Sequence, residues 1–314
     1  MNRFISFLIL LTAISGCSNN NGSHFSGERM DHIDDFPTDL VTPRDIDIWL
    51  PPGYDTNETY QVSYMNDGQM LFDGASTWNH QEWMVDETMT KLIAEDKINP
   101  CIVVGISSIA RTRNADYFPQ KPLNYLDSAT RNSVFQKVFG EEMDSLIPSK
   151  MNSDAYLQFI VEQLKPYIDE HYSTKTDAQH TFIAGASMGG LISMYALCEY
   201  PNVFGGAICM STHWPGVNVS DNDLIPRAFA FYLIGNLPKP GNHKIYFDFG
   251  TETLDKWYEK PQLLIDSVLE DRGYGPLTWM TKKFEGHEHS EKSWQKRLDV
   301  PLEFMLAERI EHVL

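Results

Sequence analysis

The sequence predicts an α/β fold, with a mostly parallel sheet flanked by helices. Short apolar runs alternate with helical patterns along most of the chain. One run, residues 101–106 (Cys-Ile-Val-Val-Gly-Ile), is apolar throughout, as expected of a strand covered on both faces. The 314 residues are 42% hydrophobic and 22% charged, an ordinary globular balance for one α/β domain.

In order, residues 45–50 alternate polar and apolar as a half-buried strand does, and Pro51-Pro52-Gly53 ends it. Residues 61–65 read as a second strand and 80–96 as a helix. In 152–165, Leu157, Ile160, Val161 and Leu164 share one helix face, and Pro166 disturbs the pattern after them. Residues 181–184 form a buried strand that opens directly into a helix. There Met188, Leu191, Ile192, Tyr195 and Cys198 recur at helical spacing, and Pro201 closes it. Residues 206–210, 244–249 and 277–284 are further strands, and 257–271 and 292–312 further helices. Residues 107–150 lack this rhythm but carry aromatics, including Tyr117, Phe118 and Tyr125. This predicts a small cap-like insertion beside a pocket.

The N-terminus reads as an export signal over residues 1–16. Arg3 precedes an apolar run, 4–14, shorter than the roughly 20 residues that span a bilayer. Small residues before Cys17 resemble a bacterial lipoprotein signal, so Cys17 is the expected lipidation site and membrane anchor. The expected location is then periplasmic or cell-surface. Residues 17–39 are expected to be a flexible tether and 40–314 the catalytic domain. The net charge of −18 argues against nucleic acid as a partner. If Cys17 carries lipid, Cys101, Cys198 and Cys209 remain, and buried free thiols are expected.

The main chemical signal is Gly185-Ala186-Ser187-Met188-Gly189-Gly190. Small residues around a serine between a strand and a helix permit a sharp turn that lifts Oγ clear of the sheet. The helix N-terminus then faces the reacting oxygen. Such a serine needs a base, and the base an orienting acid, in the chain order serine, acid, histidine. His287 and His289 both fall between the last strand and the last helix, where the base is delivered. No third ligand beside them suggests a metal, and none is expected. The acid should follow the strand 244–249, with Asp248, Glu252 and Asp255 as candidates. His213 and Trp214 emerge after a central strand and are pocket candidates, as are Arg113 and Tyr117 in the insertion.

Four stretches together resemble the esterase D-like branch of the α/β-hydrolases, over roughly residues 40–312. They are Tyr64-Met65-Asn66-Asp67-Gly68-Gln69, the serine motif, Gly250-Thr251-Glu252-Thr253-Leu254-Asp255 and Gly286-His287-Glu288-His289. That branch holds feruloyl and acetyl-xylan esterases and siderophore trilactone esterases. The resemblance implies an α/β-hydrolase fold. It selects His289 as base through its Gly-x-x-His pattern, and favours Asp255 as acid with Glu252 in reserve. It places the oxyanion hole at the backbone N–H groups of Gln69 and Met188, and implies no cofactor.

The expected activity is a serine carboxylesterase acting through an acyl-enzyme on a small-molecule or oligosaccharide ester. The alternatives are a siderophore trilactone esterase and a non-catalytic glycan-binding or surface lipoprotein.

Overall fold

A computed structural model describes residues 29–139, 151–216 and 223–307. Eight strands form one sheet: β1 (Arg29–Ile33), β2 (Ile46–Leu50), β3 (Gln61–Asn66), β4 (Cys101–Ile106), β5 (Thr181–Ala186), β6 (Gly206–Met210), β7 (Lys244–Gly250) and β8 (Trp279–Phe284). Their spatial order is β1-β2-β4-β3-β5-β6-β7-β8. The pairs β1/β2 and β2/β4 are antiparallel, and every pairing from β4/β3 to β7/β8 is parallel. The expected mostly parallel sheet is thus present.

The helices are α1 (Val85–Ala94), α2 (Arg113–Tyr117), α3 (Ser128–Phe139), α4 (Ser153–Phe159), α5 (Lys165–His171), α6 (Met188–Glu199), α7 (Leu224–Asn236), α8 (Glu259–Asp271), α9 (Glu291–Gln295) and α10 (Asp299–Leu306). Among the described residues, no helix is long and apolar enough to cross a membrane.

The apolar run of β4 follows from its two covered faces. Ile102, Val104 and Ile106 join a core that includes residues of α4, α6, α7 and α8. Cys101 and Val103 point the other way, into a core with α1 and α10. Side chains alternate across a strand, so a continuous run signals burial on both sides. Helix α6 is buried nearly all round for the same reason, wedged against β5 and β6. Cys101, Cys198 and Cys209 are buried free thiols, as expected.

Several boundaries differ from the sequence reading. The expected tether, 17–39, includes β1, whose residues pair with β2 from Arg29↔Leu50 to Ile33↔Ile46. Edge pairing, rather than burial of its own, orders this polar segment. Near Pro166 the helical pattern is disturbed, as expected, but not broken. A π-helical turn, Ile160–Leu164, intervenes, and Pro166 falls in the first turn of α5, where its missing N–H costs least. The single helix expected over 292–312 is α9 and α10, separated by residues 296–298. Within the expected insertion, α2, a 3-10 turn (Lys121–Tyr125) and α3 pack among themselves and onto α4, α6 and α7. Residues 140–150 lie outside the described residues, as do the signal segment and Cys17.

Candidate active site

Ser187 sits at the junction of β5 and α6 with φ 59° and ψ −118°. An L-residue is held there only by surrounding structure. Its N–H donates to the Met210 carbonyl (2.9 Å), and its own carbonyl accepts from His213 N–H (3.1 Å), which pins the turn to the end of β6. The crossing is tight enough that a Cβ on Gly185 would lie 2.6 Å from the Gly189 carbonyl carbon. The glycines of the motif therefore permit the turn sterically, as the sequence implies.

Asp255 and His289 meet through two loops fastened side by side. The Thr251 and Glu252 N–H groups both donate to the His287 carbonyl at 3.0 Å. Thr251 Oγ1 accepts from Gly286 N–H, and Thr253 Oγ1 from His289 N–H, each at 2.8 Å. This brings His289 Nδ1 to 2.6 Å from Asp255 Oδ1. Asp255 is fully buried, and its Oδ2 accepts from the Ser211 hydroxyl (2.5 Å) and Gly250 N–H (2.6 Å). Burial alone would raise the Asp255 pKa, but His289, Ser211 and Gly250 together hold it below the ordinary range. Nδ1 of His289 is thereby committed, and Nε2 is the nitrogen left to exchange a proton with a reacting group.

The competing histidine and acid are placed elsewhere. His287 sets its ring at a tilt against Phe284, with centroids 5.3 Å apart, and serves the loop through its carbonyl. Glu252 is exposed, with its side chain bonded to the Thr251 hydroxyl.

Met188 opens α6, and Gln69 lies in the 3-10 turn Gly68–Met70. First-turn amides have no intrahelical acceptor, so both can serve an oxyanion. The Gln69 side chain exchanges two hydrogen bonds with Ser108, each 2.9 Å. Asp67, just before it, is left-handed at φ 60°. Arg113 grips both Asp67 carboxylate oxygens at 2.7 and 2.8 Å. Asp67 N–H donates to the Tyr117 hydroxyl at 3.1 Å.

The expected pocket residues are accordingly corrected. Tyr117 is fully buried and supports the Asp67 turn instead of lining a pocket. Arg113 spends its planar fork on the same carboxylate. Trp214, only 1% exposed, donates its indole N–H to Gln262 (2.8 Å) and packs on Phe229 and Phe247. His213 stands at the site, with Nδ1 2.5 Å from the Tyr258 hydroxyl. Burial, helped by the neighbouring Arg113 guanidinium, lowers its pKa to about 4, so its imidazole is neutral near pH 7.

Tyr258 links the two halves of the site. Its hydroxyl meets His213, its backbone N–H donates to the Asp255 carbonyl at 2.9 Å, and its ring stands edge-on to His289 with centroids 5.6 Å apart.

The family model described as "Putative esterase" matches residues 38–305. The chain belongs to that esterase family. The reaction class the family carries is hydrolysis of a carboxylic ester. The esterase is similar to the uncharacterized protein YbbA of Bacillus subtilis (strain 168), 24% identical over 267 residues, or 82% of this chain and 90% of YbbA. It is also similar to the solved ferulic acid esterase of Anaeromyces mucronatus in complex with ferulic acid. There the identity is 17%, the coverage 91% of this chain and 92% of that one, and the TM-score 0.59. The enterobactin esterase of Shigella flexneri in the presence of enterobactin is 17% identical. It covers 88% of this chain and 58% of that chain, with a TM-score of 0.62. At these identities the two solved structures share its fold.

Four residues of the esterase site escape sequence reasoning. Ser211 receives hydrogen bonds from Trp294 Nε1 (3.0 Å) and Arg297 Nη2 (2.7 Å) while donating to Asp255. Arg297 also pairs with buried Asp248 at 2.8 Å. Tyr258 is the fourth. Its only signal in the sequence is its place three residues after Asp255. Nothing local marks Trp294, in α9, or Arg297, in the turn after it.

Proposed function

We propose that the protein is a serine carboxylesterase in which Ser187 is the nucleophile, His289 the base and Asp255 the orienting acid. The observation that carries this reading is the strained Ser187 turn opening α6, and the His289–Asp255 pair at 2.6 Å supports it.

His289 Nε2 takes the Ser187 proton as Oγ attacks the ester carbonyl. The carbonyl oxygen gains the negative charge and is met by the N–H groups of Gln69 and Met188. Removing one such donor typically costs about 100- to 1000-fold in rate. The imidazolium, facing the Asp255 carboxylate, then gives its proton to the leaving alkoxide. The alcohol departs and an acyl group stays on Oγ. Water loses a proton to the same histidine and attacks. Collapse expels Ser187 Oγ, which recovers the proton, and the acid leaves.

The substrate proposed is an ester of a small acyl or aryl acid on an oligosaccharide or other small molecule. A siderophore trilactone is the weaker reading, because a chain of net charge −18 repels an anionic chelate. Export and anchoring through Cys17 remain part of the proposal, and labelled-lipid incorporation lost in Cys17→Ser tests them.

The experiment is burst-phase hydrolysis of p-nitrophenyl acetate, p-nitrophenyl butyrate and a feruloyl ester by the wild type, Ser187→Ala, His289→Ala and His287→Ala. Loss with Ser187 and His289 but not His287 is expected. A folded wild type that neither turns over nor acylates would point to a non-catalytic surface protein.

A further inference from the structure

Ser211 is fully buried just after β6, and its φ is 41°. That is the left-handed region, which glycine enters without the Cβ penalty a serine carries. The backbone is held there by β7, since Ser211 N–H is shared between the Asp248 carbonyl (2.9 Å) and Asp248 Oδ1 (3.0 Å). The turn itself asks only for a glycine, so what serine adds is its hydroxyl.

The partners of that hydroxyl leave it no rotational freedom. It has one proton and two lone pairs, while an indole and a guanidinium can only donate. Trp294 Nε1 at 3.0 Å and Arg297 Nη2 at 2.7 Å take both lone pairs. The proton then has one acceptor, Asp255 Oδ2, 2.5 Å away. The same hydroxyl stands between two charges. Arg297 Nη2 bonds Asp248 Oδ1 at 2.8 Å but lies 3.7 Å from Asp255 Oδ2, beyond hydrogen-bond reach. The guanidinium is therefore paired with Asp248. Asp255, held at Oδ2 by neutral donors, Ser211 and Gly250 N–H, keeps its charge for His289 at Oδ1. Trp294 also stands edge-on to the His289 ring with centroids 5.1 Å apart, so one indole touches both the base and the serine that holds the acid.

We infer that Ser211 is a positioning residue for the acid: its hydroxyl, forced to donate to Asp255 Oδ2, fixes the carboxylate with Oδ1 toward His289 and keeps the Arg297 guanidinium off it. The inference rests on Asp255 being the acid and His289 the base. It gives Trp294 and Arg297 a part in the site through the Ser211 lone pairs and not through substrate.

The test reads kcat and KM on p-nitrophenyl butyrate beside urea unfolding, for Ser211→Ala and Ser211→Gly. Both remove the hydroxyl, and glycine also takes the left-handed backbone without strain, so the two should differ in stability. In both, kcat should fall about tenfold, the size of one lost hydrogen bond to a charged group, with KM nearly unchanged. Equal kinetic losses at unequal stabilities separate positioning from a structural role. In an Asp255→Asn background, Ser211→Ala should lower kcat by no more than about twofold further, because the hydroxyl acts through that carboxylate. Wild-type kcat in either folded variant, a loss confined to KM, or a full further tenfold loss on top of Asp255→Asn would each overturn the inference and leave the serine mechanism standing. Wild-type kcat in Asp255→Asn itself would sink the assignment of the acid, and this inference with it.

Discussion

Asp255 holds His289 with one carboxylate oxygen, at 2.6 Å, and is itself held at the other by Ser211 and Gly250. That second hold is what favours Asp255 over the exposed Glu252 as the acid of the proposed triad. Asp255→Asn should lower kcat by roughly two to four orders of magnitude, because an amide misorients the imidazole and cannot stabilise its charged form. Glu252→Gln should leave kcat nearly unchanged. Steady-state kinetics on p-nitrophenyl butyrate decide it, and the reverse pattern would reassign the acid.

Arg113 supports the turn before Gln69. Its fork on Asp67 is bidentate, and a lysine ammonium cannot reproduce that geometry. Arg113→Lys should therefore loosen the oxyanion turn and reduce kcat by about tenfold, with a smaller change in KM. A rise in KM at constant kcat would show that the guanidinium meets substrate instead.

Arg297 is fully buried between Asp248 (2.8 Å) and Asp255 (3.7 Å). Removing one partner of a buried pair strands the other charge, at a cost of about 3–5 kcal/mol. Arg297→Met should show that loss in urea unfolding, and adding Asp248→Asn should recover part of it. A single variant as stable as the wild type would mean the pair is not load-sharing in the fold.

His213 makes stability depend on pH in a defined window. Its folded pKa is depressed to about 4 from an ordinary 6.5, so the unfolded chain takes up the proton first as pH falls. The contribution is complete above pH 6.5 and is lost progressively toward pH 4. Asp255, also depressed, acts lower, since its ordinary value is 3.8. Melting temperature should fall between pH 6.5 and 4 in the wild type, and the fall should flatten in His213→Asn. An unchanged slope would contradict a buried neutral imidazole.

How much of this was legible in the sequence depended on where the determining contacts lie. The serine turn could be read because its cause is local: Gly185, Ser187 and Gly189 are neighbours, and steric necessity shows in their spacing. Strands such as β4 could be read because burial on both faces leaves a continuous apolar run. Strand β1 could not, because Arg29–Ile33 is ordered by pairing with β2 and has no buried residue. Helix α7 was missed because it shows no clear amphipathic stripe, leaving Phe231 and Ile234 exposed. The choice between His287 and His289 rested on family resemblance, because the loop bonds around Thr251 and Thr253 that bring His289 to Asp255 join distant parts of the chain. Arg113, Tyr117 and Trp214 were read as pocket residues because the partners that occupy them, Asp67 and Gln262, lie far away in the chain.

The most direct test of the central claim is trapping the acyl-enzyme. Protein mixed with p-nitrophenyl butyrate, quenched in acid during the burst and mapped by mass spectrometry, should carry one butyryl group on the peptide containing Ser187. Ser187→Ala should lose both the adduct and roughly four or more orders of magnitude in kcat. Turnover retained in a folded Ser187→Ala protein, or an acyl group found on another residue, would contradict the account.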